Sequence, residues 1–271
     1  MKLKELFSEA NGKHGIFLPY VCAGDPTPEF TKKLIKTLIE NGAGGIEFGI
    51  PFSDPIADGE TIREAISRAL KNGMTPKKAF KLIKELREDG IKTQISIMTY
   101  LNIILAMNPD IFLEHAHDVG CDGLILPDLP YDESEFLRSS CKKKNISLIH
   151  FLTPEINDER LQEITNHADG FLYVVSVIGV TGARNEISNQ GVSLLQRAKK
   201  ITRVPLTIGF GVATPLHAQE YYRAGANGVI IGSQIVKIYS KYIDKEGTLN
   251  EENALKEIAE FTKKIVGAMH E

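Results

Sequence analysis

Eight short apolar runs alternate with amphipathic segments along this chain of 271 residues, and this alternation constrains the fold more than any other feature. The runs are continuously apolar, which is typical of parallel strands that are covered on both faces. Strands are therefore predicted at 16–21, 43–50, 93–100, 122–127, 146–152, 170–176, 204–210 and 227–232. Eight units of strand and helix, at roughly 30 residues each, match the arithmetic of a (β/α)8 barrel.

The segments between the runs have the spacing of helices with one apolar face. In TKKLIKTLIENG, Leu34, Ile35, Leu38 and Ile39 share a face, and Gly42 follows as a stop signal. The first residues, MKLKELFSEANGKHG, also form an amphipathic start. We predict an α/β fold: a (β/α)8 TIM barrel in a single domain over 1–271, with an extra N-terminal helix. A doubly wound sheet is the alternative, although no G-x-G-x-x-G follows the first strand.

Composition narrows the classes of function. The net charge is −3 and no basic stripe is visible, so nucleic acid is not an expected partner. Three widely spaced cysteines, Cys22, Cys121 and Cys141, suggest neither a disulfide framework nor a metal motif, and favour a reducing, cytoplasmic setting. No signal peptide is recognised, and no apolar run reaches the roughly 18 residues of a membrane span. No histidine, cysteine or carboxylate pair has metal-ligand spacing, so no metal site is predicted.

Glu47 is an unusual residue for its position, inside the second predicted strand between Ile46 and Phe48. Both faces of a barrel strand are largely apolar, so an uncompensated carboxylate there is costly or has a raised pKa. Two readings stay open: a general acid/base tuned by burial, or a structural carboxylate that pairs with an arginine or lysine or lies at a wet strand end.

Asp58 follows eleven positions later, in the Pro/Gly-rich loop IPFSDPIADGE. One reading makes it the N-cap of the helix ETIREAISRAL, since Asp is a favoured cap residue. The other places it across a pocket from Glu47, where two carboxyl groups in different environments separate their pKa values. The nearby Asp54, in the sequence SDP, is read as an Asx turn.

Glycines occur at three late strand ends, in GVTGAR at 179–184, GFG at 209–211 and IGS at 231–233. Glycine lets the backbone approach an anion, and Ser233 would open a helix whose free N–H groups favour phosphate. The alternative is that tight loops simply need glycine. Aromatic residues near strand ends either line a pocket or only pack; these are Tyr20, Tyr100, Tyr173 and Phe210.

These residues together resemble a known family. LPYVCAGDP, IEFGIPFSDPIADGETI, MTYLN, GVTGAR, GFGV and GANGVIIGSQIV are similar, in order and spacing, to the tryptophan synthase alpha chain from about residue 15 to residue 236. The resemblance implies retro-aldol cleavage of indole-3-glycerol phosphate to indole and glyceraldehyde 3-phosphate, with Glu47 and Asp58 as catalytic residues. It implies substrate contacts at Tyr20, Tyr100, Tyr173, Thr181, Gly182, Phe210, Gly211, Gly232 and Ser233.

The resemblance also implies partners. It predicts an α2β2 heterotetramer with a beta chain, which carries the pyridoxal phosphate, and no cofactor on this chain. Segment 177–190 resembles the mobile lid of the family, and the loop with Asp54 and Pro55 resembles its partner-facing surface. Two alternatives remain: a catalytically weak barrel that mainly activates a beta chain, and another sugar-phosphate barrel enzyme such as an isomerase.

Overall fold

Eight parallel strands close into one barrel in the computed structural model, which describes residues 3–10, 12–176 and 187–270. Strands that follow each other in the chain are hydrogen-bonded neighbours, and the first strand also pairs with the last. The strands are β1 (Ile16–Cys22), β2 (Gly45–Gly49), β3 (Gln94–Met98), β4 (Gly123–Ile125), β5 (Ser147–Leu152), β6 (Leu172–Val175), β7 (Leu206–Gly209) and β8 (Gly228–Ile231). The predicted TIM barrel is confirmed, and closure rules out the doubly wound sheet.

Helices surround the barrel. They are α1 (Leu3–Ala10), α2 (Pro28–Glu40), α3 (Glu60–Lys71), α4 (Pro76–Glu88), α5 (Leu101–Met107), α6 (Pro109–Asp118), α7 (Glu135–Lys143), α8 (Asp158–His167), α9 (Asn189–Ile201), α10 (Pro215–Ala224), α11 (Ser233–Ser240) and α12 (Glu251–Ala268), with a short 3-10 turn at Tyr131–Glu133. The predicted N-terminal helix is α1, whose Leu3 and Phe7 are buried. Because Phe7 packs on Phe171 just before β6, α1 covers the N-terminal end of the barrel.

Helix α2 shows how local sequence sets these elements. Thr27 caps it by accepting a 3.1 Å hydrogen bond from the Phe30 N–H, and Pro28 occupies the first turn, where its missing N–H costs nothing. The predicted apolar face is confirmed at Leu34 and its neighbours, which are buried, whereas Ile39 at its edge is only partly buried.

Glycines make room for two tyrosines at the C-terminal end of the barrel. A Cβ atom on Gly49 would overlap the hydroxyl of Tyr20, and one on Gly209 would overlap the hydroxyl of Tyr173. Both tyrosines are buried, so a methyl group at either glycine would displace a packed ring. The two glycines therefore hold open the end of the barrel where the strand-end residues meet.

The substitution Gly209→Ala tests this packing. We expect it to lower the free energy of unfolding by about 1–3 kcal/mol, because the added methyl forces Tyr173 to move. Gly267→Ala is the matched control, since a Cβ there meets nothing within 4 Å and α12 gains helix propensity. Urea unfolding of both variants gives the comparison. Equal stability of the two variants would show that the end of the barrel tolerates the methyl.

Candidate active site

One pocket at the C-terminal ends of the strands collects most of the predicted site residues. Those that line it are Tyr20, Glu47, Asp58, Tyr173, Phe210, Gly211, Gly232 and Ser233. Tyr100 does not line the pocket but contacts it through Asp58, as described below. Thr181 and Gly182 lie outside the described residues, as does most of segment 177–190.

Glu47 lies on β2, and the residues paired with it on the neighbouring strands are Tyr20 on β1 and Ser96 on β3. Its side chain is buried, and its Oε2 atom has no hydrogen-bond partner among the described residues. Burial, and next the carboxylate of Asp58, raise the pKa of Glu47 to about 8. No positively charged side chain among the described residues lowers this pKa, so the alternative of a structural carboxylate paired with an arginine or lysine is not supported. The geometry fits a carboxyl group that exchanges a proton near neutral pH.

Asp58 is not the helix cap that its sequence position allows. The N-cap of α3 is Gly59, without a side-chain cap bond, while the Asp58 carboxylate accepts a 2.6 Å hydrogen bond from the Tyr100 hydroxyl. That hydroxyl in turn accepts a 3.2 Å bond from the Ala57 N–H. Tyr100 therefore fixes both the loop and the carboxylate. Burial raises the pKa of Asp58 to about 6, against the lowering effects of the Tyr100 bond and of Arg63.

The substitution Tyr100→Phe removes the bond that lowers the Asp58 pKa. We therefore expect the pKa of Asp58 to rise above its value of about 6, as followed by carbon NMR of the side-chain carboxyl. Tyr242→Phe is the matched control, because the Tyr242 hydroxyl donates a 2.8 Å bond to Glu257 in the same way but far from the pocket. An Asp58 pKa that stays fixed or falls in Tyr100→Phe would contradict the assigned role.

The two carboxyl groups differ in protonation at neutral pH. With pKa values of about 8 for Glu47 and about 6 for Asp58, the first is mostly protonated and the second mostly ionised. Such separation is the pattern by which one site holds an acid and an anion together. The pocket can therefore donate a proton from one wall and stabilise a positive charge at another.

An anion corner lies beside this pair, where β7 and β8 end. Gly211, Gly232 and Ser233 share the pocket with the carboxyl groups, and α11 begins at Ser233 with Gly232 as its N-cap. Since Gly232 provides no side-chain cap, the first N–H groups of α11 are available to a bound anion. Phe210, before Gly211, has a φ of 61°, an unusual conformation for a residue with a Cβ that is typical of functional sites.

Aromatic rings form an apolar wall of the pocket. Tyr173 packs edge-on against Phe210 with ring centroids 5.6 Å apart, and lies 4.7 Å from Phe151 on its other side. Tyr173 and Phe210 can pack against a flat apolar group in the pocket. Sequence reasoning missed other residues of the lining, namely Ile62, Met98, Val212, Ala213, Ile230 and Gln234. Met98 and Ile230 lie at or next to strand ends, and Val212, Ala213 and Gln234 follow the late glycines, but many core and loop residues share such positions. Ile62 lies in α3, where the sequence gives no signal.

Other predicted features concern the rest of the chain. The three cysteines are buried free thiols. In the described ranges, no group of three His, Cys, Asp or Glu side chains is placed to hold a metal ion. Among the same residues, no helix is long and apolar enough to cross a membrane.

Comparison with known proteins gives consistent matches. The family model of the tryptophan synthase alpha chain matches residues 7–267. The tryptophan synthase alpha chain of Methanocaldococcus jannaschii is 41% identical over 253 residues, covering 93% of this chain and 89% of that one. That of Halalkalibacterium halodurans is 38% identical over 98% of this chain and 100% of that one. A chain of the tryptophan synthase complex from Pyrococcus furiosus superposes with a TM-score of 0.83 at 38% identity, covering 94% of this chain and 99% of that one.

Proposed function

Because this chain belongs to the tryptophan synthase alpha chain family, we propose that its pocket cleaves indole-3-glycerol phosphate to indole and glyceraldehyde 3-phosphate through Glu47 and Asp58. The enzyme is a carbon–carbon lyase of tryptophan biosynthesis. The observation that carries the assignment of roles is the buried carboxyl pair with separated pKa values, next to a helix N-terminus that suits phosphate.

Glu47 is the proton shuttle in this proposal. Protonation of indole C3 turns the ring into an electron-accepting indolenine, and the neutral Glu47 carboxyl supplies that proton. The resulting carboxylate then takes the proton of the glycerol hydroxyl next to the ring as the C–C bond breaks and the aldehyde forms. The bond electrons return to the ring, so indole leaves neutral and Glu47 ends protonated, ready for the next cycle.

Asp58 is the electrostatic partner. Ionised at neutral pH, it accepts the indole N–H and stabilises the positive charge that develops on that nitrogen after protonation at C3. Tyr100 supports this role because its hydroxyl orients the carboxylate and keeps its pKa from rising further. No step of this cleavage calls for a cofactor, and we propose that this chain works without one.

The anion corner and the aromatic wall provide the positions for the two ends of the substrate. The phosphate binds at the N–H groups near Gly211, Gly232 and Ser233, while the indole lies against Tyr173 and Phe210. The described pocket is narrow, about 50 Å3, whereas ligand pockets usually hold about 300 Å3 or more. We therefore expect the substrate to widen the pocket by moving lining side chains, which a complex with indolepropanol phosphate would show.

Indole formation from indole-3-glycerol phosphate, measured with and without an added beta chain, tests the proposal directly. Release of indole by the isolated chain supports the lyase. Negligible turnover in both conditions would favour the weak barrel that only activates its partner. If indolepropanol phosphate binds away from Glu47 and Gly232, the isomerase alternative regains support.

Exposed apolar side chains support the docking of a beta chain on this protein. Among the residues that the structure describes, the exposed large apolar side chains are Ile56, Leu105, Ile111, Phe136 and Leu216. Ile56 lies in the connection from β2 to α3, and Ile111, Phe136 and Leu216 lie in the first turns of α6, α7 and α10, which in a barrel is the side of the strand ends that carries the pocket. Ile56, with the largest exposed fraction of the five at 73%, lies in the same loop as Asp54 and Pro55, which is the loop proposed to face the partner. We propose that a beta chain with pyridoxal phosphate docks here in an α2β2 assembly; the cytoplasmic setting stays a prediction.

The substitution Ile56→Asp tests this docking. Ile56 is 73% exposed in the loop before Asp58, so we expect the charge to weaken binding of a beta chain by at least about tenfold, or 1.4 kcal/mol, with the fold intact. Lys84→Asp, on the exposed side of α4, is the control for adding an acid to the surface. Binding is measured by titration calorimetry and the fold by circular dichroism. Equal affinity of both variants would place the beta chain elsewhere.

A further inference from the structure

A second concave site lies on the flank of the barrel, away from the pocket. The groove between α7 and α8, called here the α7–α8 groove, has a volume of about 530 Å3 and a floor on β5. Leu148 and His150 are two residues apart on β5, so their side chains share one face of the strand, and both line the floor of the groove. A volume of this size is in the usual range for small-ligand sites, about 300–1,000 Å3.

Two buried polar groups at the groove have no hydrogen-bond partner among the residues that the structure describes. His150 is 5% exposed, and its Nε2 atom has no hydrogen-bond partner among the described residues. The Nη1 atom of Arg138 is likewise buried and has no hydrogen-bond partner among the described residues, although its Nη2 atom donates to Glu135. An unpaired buried donor costs about 1–3 kcal/mol, so a ligand that brings an acceptor to either side chain would remove such a cost.

The surrounding contacts hold these two side chains in place. The guanidinium carbon of Arg138 lies 4.6 Å from the ring centroid of Tyr131, which packs edge-on against His150 at 5.1 Å. The Tyr131 hydroxyl is 2.6 Å from His167 Nδ1 on α8. Burial, then Arg138 and His167, lower the pKa of His150 to about 4, so its ring is neutral at pH 7 and can donate from Nε2.

The lining indicates what kind of acceptor fits. Ile146, Leu148 and Ala168 present apolar surface, so the ligand carries an apolar body as well as an acceptor. The charged lining is balanced: Arg138 and Lys142 are basic, whereas Glu135 and Asp169 are acidic. Both acids already accept hydrogen bonds, Glu135 from Arg138 and Asp169 from Ser147, and this balance favours a singly charged anion over a doubly charged one. A single negative charge that accepts two hydrogen bonds is the best match, which describes a carboxylate.

We propose that the α7–α8 groove binds a small organic monocarboxylate, with its two oxygens accepting from Arg138 Nη1 and His150 Nε2 and its apolar part on Leu148. The site is separate from the lyase pocket and does not depend on the proposed chemistry there.

Butyrate is the probe, with uncharged butyramide and inorganic phosphate as comparisons. Proton–carbon NMR follows the His150 ring signal, assigned by its absence in His150→Phe. We expect butyrate to shift this signal saturably with a millimolar Kd, and butyramide and phosphate to leave it unchanged. Arg138→Gln should weaken binding by about tenfold or more, the loss of one charged hydrogen bond.

Arg160→Gln is the matched control. The Arg160 guanidinium carbon also lies 4.6 Å from the Tyr131 ring and pairs with acids, but Arg160 lines the neighbouring pocket instead of the groove. We expect its affinity for butyrate to equal that of the wild type. No shift up to about 100 mM butyrate, a hundred times a millimolar Kd, would overturn the proposal. So would equal binding of butyramide or phosphate, or equal losses in the two arginine variants.

Discussion

Replacing Glu47 with Gln is expected to reduce indole release by about a thousandfold or more while leaving the barrel folded. The amide has the size of the carboxyl group but neither gives nor takes a proton, and acid–base roles contribute about 10²–10⁴ in rate. Because the side chain is buried on β2 and its Oε2 atom has no described partner, the change breaks no hydrogen bond at that oxygen. The loss should therefore appear in kcat, with substrate still bound at the anion corner.

Glu60→Gln is the control for this variant. Glu60 is an exposed residue at the start of α3, so the substitution makes the same chemical change two positions after Asp58 without touching the pocket. Indole release is measured for both variants at saturating indole-3-glycerol phosphate, and circular dichroism checks the fold. If Glu47→Gln keeps more than about a tenth of wild-type turnover, another group shuttles the proton and the assignment of Glu47 is wrong.

The barrel was predictable because its signal is local and repeated. Each strand is a continuous apolar run, and the structure places β1 at Ile16–Cys22 against a predicted 16–21, and β5 at Ser147–Leu152 against 146–152. Larger differences occur at strand ends such as 122–127, of which only Gly123–Ile125 is strand. Leu126 and Pro127 have the same apolar character as the strand but lie beyond its hydrogen-bonded ladder, which composition does not reveal.

The site was predictable in part for the same reason. Glu47 stood out because a carboxylate within an apolar run is costly wherever it points. Asp58 was ambiguous because the sequence DGE suits a helix start, and only the bond from Tyr100, 42 residues away, turns its carboxylate toward the pocket. Contacts between distant segments also create the α7–α8 groove, where His150 on β5 meets Arg138 on α7. No motif signals such a pairing.

Stability should fall as pH rises from 6 to 8, and Glu47 should be the main cause. Its pKa is about 8 in the folded protein and near 4.5 when exposed, so between these values the folded state binds more protons than the unfolded state. The free energy of unfolding therefore decreases with pH in that window, by about 2–3 kcal/mol over these two pH units. Asp58, with a folded pKa of about 6, acts in the same direction but mostly below pH 6.

Glu47→Gln separates this effect from the other titrations. The folded pKa of His150 is lowered to about 4, so its contribution raises stability as pH passes its ordinary value near 6.5, and it is the same in both proteins. The difference between variant and wild type then isolates Glu47: urea unfolding should show the variant gaining about 2–3 kcal/mol relative to wild type between pH 6 and 8. A constant difference would mean that Glu47 is already ionised in the folded barrel. The same carboxyl group would then lack the proton that indole C3 requires. Unfolding measurements made without substrate therefore also test the proposed catalytic role of Glu47.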